Sequence, residues 1–184
     1  TGASGVEMLA GLYYEPLWIF HRGDAEITKL LQLRGKRITV GLPGSGTRAL
    51  VVPLLAANDV DANDATLIDA AGDTSIDLLA AGRADAALLV GGAAMPLMQR
   101  VLRDPRFRLM SFARADAYER RFPFLSRLTL PAGAIDFARD IPAQPVTLIA
   151  TRAMLAAREN LHPALVTLLL EAVHDVHDDQ GYFE

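Results

Sequence analysis

Residues 37–48 read RITVGLPGSGTR, and residues 84–92 read ADAALLVGG. Each opens on a short apolar run, passes through glycine and runs on toward a segment of helical character. Arg37–Gly41, with Ile, Thr and Val in sequence, suits a strand. The Gly/Pro/Ser loop Leu42–Thr47 follows, then an apolar helix from Arg48 to Ala57 interrupted early by Pro53. Ala65–Ile68 reads as a second strand. Thr74–Ala81 reads as a helix with Asp73 or Thr74 as N-cap and Gly82 closing it. Ala84–Val90 is apolar nearly throughout, as a strand covered on both faces requires. A helix from about Ala94 to Leu102, a strand Arg106–Phe112 and a helix Ala115–Phe122 continue the alternation. Such alternation predicts an α/β fold: a mostly parallel sheet covered by helices on both faces.

The flanks add to this frame. Leu12–Phe20 (LYYEPLWIF) is aromatic and strand-like, and Pro16 inside it demotes it to an edge or crossover strand. Residues 24–33 read as a short helix. Leu125–Ala143 carries no long periodic pattern, Pro145–Thr151 is again strand-like, and two helices, about 152–158 and 163–178, close the chain.

Composition removes whole classes. A length of 184 residues fits one large domain or two small ones. With 51% hydrophobic and only 22% charged residues, the chain is not disordered. A net charge of −4 argues against a nucleic-acid partner, which would face a basic surface. The absence of Cys removes disulfides, Cys-ligated zinc, iron–sulfur clusters and Cys nucleophiles. The skew of 16 Arg to 2 Lys reads as genome composition, not function. The longest apolar run, Asp85–Gln99, is broken by Gly91, Gly92 and Pro96 and falls short of the roughly 20 residues of a spanning helix. Residues 1–11 lack the basic and apolar regions of a signal peptide, and without an initiating Met the chain reads as a processed protein or an excised piece.

In parallel sheets ligands bind beyond the carboxyl ends of the strands, where connections diverge to opposite faces. Here those ends carry Gly41–Gly46, Gly72 and Gly91–Gly92, each before a helix whose N-terminal amides favour an anion or acceptor. The loop Gly41–Arg48 has several readings. As a phosphate-binding P-loop it fails, because Thr47 stands where Lys belongs and Arg48 where Ser or Thr belongs. As a dinucleotide fingerprint, Gly44-Ser45-Gly46-Thr47-Arg48-Ala49 fits G-x-G-x-x-A, with Asp69 about 20 residues on as the ribose acid, although Pro43 stiffens the turn. As a small-ligand cradle it offers the Ser45 and Thr47 hydroxyls and backbone amides. As an ordinary βα loop it needs only Ser45 as cap. Tyr13, Tyr14 and Trp18 read as core aromatics or, for Tyr13 beside Glu15, as a polar pocket wall. His174 and His177, beside Asp175 and Asp178, read as a solvated helix end and not a metal site. No G-x-S-x-G elbow surrounds Ser45. No cofactor is expected.

LYYEPLWIFHR, LRGKRITVGLPGSGTR and LLAAGRADAALLVGGAAMP, in this order and spacing, resemble the TAXI family, the extracytoplasmic solute receptors of TRAP transporters. The later FPFLSRLTLPAGAI and PVTLIATRAML are similar to further family segments, so that the resemblance runs from about Leu12 to Leu170. It implies a type II periplasmic-binding-protein lobe, a non-enzymatic role, a periplasmic location in a bacterium, and the membrane components of a TRAP transporter as partners. The family's first lobe precedes the LYYEPLWIF segment and is missing from this chain. The resemblance thus divides the chain into a flexible N-terminal segment 1–11, a second ligand-binding lobe with hinge strands 12–151, and C-terminal helices 152–184 packing on the first lobe. It carries ligand contact over to Tyr13 and Glu15 at the hinge, to Gly44, Ser45, Gly46, Thr47 and Arg48 at the first helix, and to Gly92 and Pro96 at the adjacent strand end. The positive end of the helix at Gly46, with Arg48 alongside, points to a small organic anion, a carboxylate or amino acid. Two alternatives keep the fold but change the role: a nicotinamide- or nucleotide-binding domain of an α/β enzyme, and the effector-binding lobe of a regulator.

Overall fold

The computed structural model describes residues 5–177, 182 and 183. In chain order the elements are β1 (Val6–His21), a 3-10 turn (Leu30–Leu33), β2 (Arg37–Thr39), α1 (Gly46–Ala56), β3 (Thr66–Ile68), α2 (Gly72–Ala80), β4 (Ala86–Val90), α3 (Pro96–Leu102), β5 (Arg108–Leu109), α4 (Ala115–Arg121), β6 (Ser126–Leu130), β7 (Val146–Arg158) and α5 (Pro163–His177). They form one sheet in the order β3-β2-β4-β1-β7-β6, with β5 beside β1. The expected parallel run is the three strands β3-β2-β4, in which β2 pairs parallel with both neighbours. The long strands β1 and β7 then add antiparallel pairings, which makes the sheet mixed.

Alternation along the central strands sorts the core onto two faces. Leu17 and Ile19 of β1 and Ala86 and Leu88 of β4 pack with Leu50, Val51, Leu54 and Leu55 of α1 and with Tyr118 of α4. Trp18 and Phe20, with Ala87 and Leu89, pack against Ile76 and Leu79 of α2 and Met98 and Val101 of α3. The connections leaving β2 and β4 therefore go to opposite faces of two adjacent strands, which opens a crevice at their carboxyl ends.

Strand β1 is the crossover strand expected from Pro16, but it is longer than Leu12–Phe20. Its second half pairs with β4, Leu17 opposite Val90 through His21 opposite Ala86. Its first half pairs with β7, Val6 opposite Arg158 through Pro16 opposite Ala150. Residues 6–11, expected as part of a flexible segment, are thus strand, and residues 1–4 lie outside the described residues. Residues 152–158, expected as helix, continue β7: their Ala, Met and Leu favour a helix, but pairing with β1 outweighs propensity.

Other differences have local causes. The expected helix 24–33 is only the 3-10 turn, because its buried residues Ile27, Leu30 and Leu33 recur every three positions, the 3-10 period. Helix α2 starts at Gly72 with Ala71 as N-cap, not at Asp73 or Thr74, and Asp73 sits in its first turn. Helix α1 begins at Gly46 and continues through Pro53, with the Ala57 amide bonded to the Pro53 carbonyl at 2.9 Å. Strand β6 lies in the stretch that showed no pattern.

The start of the parallel run is tied by one carboxylate. Asp85 accepts from the Arg37 backbone amide at 2.8 Å and from its guanidinium at 2.7 and 3.1 Å. The Arg37 guanidinium bonds hold the Asp85 carboxyl below its ordinary value of 3.8. A carboxyl depressed in the folded state contributes stability that is full above its unfolded value and is lost as pH falls through the folded one. Asp85→Asn should lower the melting temperature at pH 7 by about 2–4 °C. The gap to the unsubstituted protein should close as pH drops below 3.8, read by calorimetric scans across pH 7 to 2.5.

Candidate functional site

The two loops at the crevice have defined reasons for their glycines. Leu42–Ser45 is a type II turn: Pro43 sits at its second position, Gly44 takes φ +80°, and the Ser45 amide donates to the Leu42 carbonyl at 3.0 Å. Gly41 has φ +86°, and a Cβ there would stand 2.7 Å from Ser45 Oγ. Ser45 is the N-cap of α1, its hydroxyl accepting from the Arg48 amide at 3.2 Å. Gly46 has neither reason. Its φ lies outside the left-handed region, and a Cβ would meet open space. It leaves the Gly46 and Thr47 amides, which have no intrahelical acceptor, uncovered at the crevice.

On the other side, Trp18 Nε1 donates to the Gly91 carbonyl at 2.7 Å and pins the end of β4. Trp18 is core, stacked on Phe20 with centroids 6.4 Å apart. Gly91 packs so closely that a Cβ would lie 2.6 Å from Met95 Sδ.

Two cavities open at the crevice. One, of about 280 Å³, is lined by Glu15, Gly46, Thr47, Leu50, Val90 and Thr151. The other, of about 300 Å³, includes Tyr13, Tyr14, Glu15, Gly92, Ala93 and Met95. Glu15 belongs to both. Of the expected site residues, the structure therefore brings Tyr13, Glu15, Gly46, Thr47 and Gly92 together. Gly44 lies in the turn, Ser45 caps α1 and Pro96 opens α3; none of the three lines either cavity.

Arg48 also lies outside both linings. Its guanidinium forms an ion pair with Asp69 and approaches the Gly41 carbonyl. The carboxylate clamp and the ribose acid that the sequence suggested thus satisfy each other. Thr151, Leu50 and Val90 were not foreseen. Thr151 stands directly opposite Glu15 in the β1–β7 register, so the antiparallel pairing of these two strands was the signal that would have found it.

A larger groove of about 760 Å³ lies at the other end of β4, where His21 faces Ala86. Burial pushes the His21 imidazole down from its ordinary value. Several of its charged walls are engaged locally: Arg108 with Asp24, Asp104 with Arg106, Arg103 with Asp136. It sits at the amino end of the parallel strands, away from the helix N-termini of the crevice. Among the described residues no group of three His, Asp or Glu is placed to hold a metal ion. The His177 side chain and Asp178 lie outside the described residues.

A family model described as "NMT1-like family" matches residues 3–181. The periplasmic aliphatic sulphonate binding protein SsuA from Escherichia coli shares the fold with a TM-score of 0.56 at 11% identity, over 95% of this chain and 49% of its own. A histidine kinase sensor domain with similarity to periplasmic binding proteins gives 0.52 at 16% identity, over 94% of this chain and 57% of its own. The alkanesulfonate-binding protein SsuA from Xanthomonas axonopodis pv. citri, bound to MOPS, gives 0.50 at 14%, over 96% of this chain and 50% of its own. The chain thus spans about half the length of the structures it matches. The architecture is that of a periplasmic-binding-protein lobe, an open α/β sheet flanked by helices.

The crevice depends on the Trp18–Gly91 bond. Trp18→Phe keeps an aromatic ring but leaves a buried carbonyl without its donor. It should cost about 1–3 kcal/mol in urea unfolding. A loss below about 0.5 kcal/mol would show that the end of β4 is held by packing alone.

Proposed function

The chain belongs to the NMT1-like family, and from that premise we propose that it is the second lobe and hinge of an extracytoplasmic solute receptor. The receptor binds a small organic acid, a carboxylate or amino acid, and delivers it to the membrane components of a TRAP-type secondary transporter. One observation carries the reading: the switch-point crevice joins the open amides of α1 to the hinge ribbon of β1 and β7 through Glu15, Thr47 and Thr151. A ligand there touches both the lobe and the strands that would bend on closure.

Three further points support it. The sulphonate-binding proteins of the same fold take acidic solutes by name. The TAXI-like order of the motifs favours a TRAP partner. Helix α5 exposes Leu165, Leu168, Leu169 and Leu170, a face suited to a first lobe that completes the cleft. Among the described residues no helix is long and apolar enough to cross a membrane. We read the protein as a binder and not an enzyme, because the crevice side chains offer hydrogen bonds and one carboxylate but no nucleophile–base pair.

The nucleotide-binding alternative loses its motive, since Asp69 is held by Arg48. A sensory lobe is the second reading, favoured by the sensor domain of the same fold. Attachment to a kinase or DNA-binding segment in the complete protein would select it.

The proposal is tested on the complete receptor. In a thermal-shift panel, small carboxylates or amino acids should raise the melting temperature and neutral sugars should not; stabilisation by sugars alone would refute the acid assignment. Thr47→Val removes a donor at the crevice and should weaken binding by about 1–3 kcal/mol, fivefold to a hundredfold or more, with little change in melting temperature. Calorimetric affinity equal to that of the unsubstituted receptor would remove Thr47 from the site.

A further inference from the structure

Among the described residues, the charged side chains around the crevice have an ion-pair or aromatic partner within the chain, with one exception. Arg48 is joined to Asp69, and Arg100, in the last turn of α3, to Asp73 in the first turn of α2. Arg152, next to Thr151, lies over the Tyr14 ring at 5.7 Å from its centroid and against Gly11, where a Cβ would stand 2.4 Å from its Nε. Glu15 is the exception. It is half-buried, it is the charged side chain common to both cavities, and among the described residues nothing hydrogen-bonds or ion-pairs with its carboxylate.

A carboxylate enclosed without a counter-charge is costly, and the cost grows when a cleft closes and water leaves. A neutral hydroxyl on a ligand would satisfy one lone pair and leave the charge. A metal ion would need further ligands, and among the described residues no group of three is at hand. A protonated amine supplies both the charge and several N–H donors. Resting on the receptor reading above, we infer that the solute carries a protonated amino group held by Glu15, so that the acid taken up at this crevice is an amino acid and not a simple carboxylate. The carbon skeleton then lies along Ala93 and Met95, and the acid group faces the Gly46 and Thr47 amides. Glu15 sets the charge that the site accepts.

The test uses the complete receptor and two isosteric pairs that exchange ammonium for hydroxyl: alanine with lactate, and 4-aminobutyrate with 4-hydroxybutyrate. Amide resonances of Gly46, Thr47 and Thr151 report binding up to high millimolar concentration. In at least one pair the amine should bind ten times more tightly or better. Glu15→Gln should erase that preference, while circular dichroism confirms an unchanged fold. Hydroxy acids that bind as well as the amines would overturn the inference and leave the receptor reading standing. A preference that survives Glu15→Gln would overturn it too, as would no shift from any of the four probes. Failure of the receptor reading shows separately, in the sugar arm of the thermal panel.

Discussion

Strand β1 is the constraint on which the rest of the molecule depends. One covalent strand has to serve two partners, β4 with its second half and β7 with its first. The second half is sealed on both faces: Leu17, Trp18 and Ile19 are 0% exposed and Phe20 is 1% exposed. Burial of side chains of this size is worth roughly 1.5–3 kcal/mol each, an upper bound against a compact unfolded chain. That anchor sets the register of β1 against β4, and the register places Pro16 and Glu15 just beyond the last pair at Leu17 and Val90. The carboxylate reaches the crevice because the strand carrying it outruns its neighbour.

The same crevice shows how glycines divide their work. Gly41 and Gly44 are required by the backbone, through positive φ in both and a close hydroxyl at Gly41. A Cβ at Gly91 would displace the flexible Met95 side chain. Gly46 and Gly92 answer to nothing inside the chain, for a Cβ at either would meet open space. Both line a cavity. A small residue kept where the chain itself would tolerate a larger one leaves room for something outside the chain.

Much of the fold was legible because the parallel strands are covered twice and their apolar runs are short, continuous and bounded by glycine. The ribbon of β1 and β7 was less legible. Residues 152–158 carry Ala, Met and Leu, whose local preference is helical, and only pairing with residues 6–14 of a distant strand makes them extended. Residues 24–33 hold three buried side chains at a spacing of three, which a reading tuned to 3.6 accepts as a helix. Glu15 and Thr47, named from the motif resemblance and the loop chemistry, line one cavity. The fate of Arg48 was not legible. Its partner Asp69 is 21 residues away at the end of the next strand, and only the parallel pairing of β2 with β3 brings the two together.

That ion pair alters what the crevice offers. With Arg48 free, the crevice would carry a cation beside the positive end of α1, and an anion would be held by charge. With Arg48 engaged, the helix start offers uncovered amides and hydroxyls, which are directional and whose field fades over one turn of helix. Partly exposed, the Arg48–Asp69 pair adds little net stability. Its consequence is electrostatic: it cancels two opposite charges at the rim and leaves the carboxylate of Glu15 as the charge facing both cavities. The sign of the crevice is therefore set by β1 and not by the helix-start motif that dominates the sequence. Because β1 pairs at once with β4 and with β7, the carboxylate of Glu15 sits where the two pairings meet.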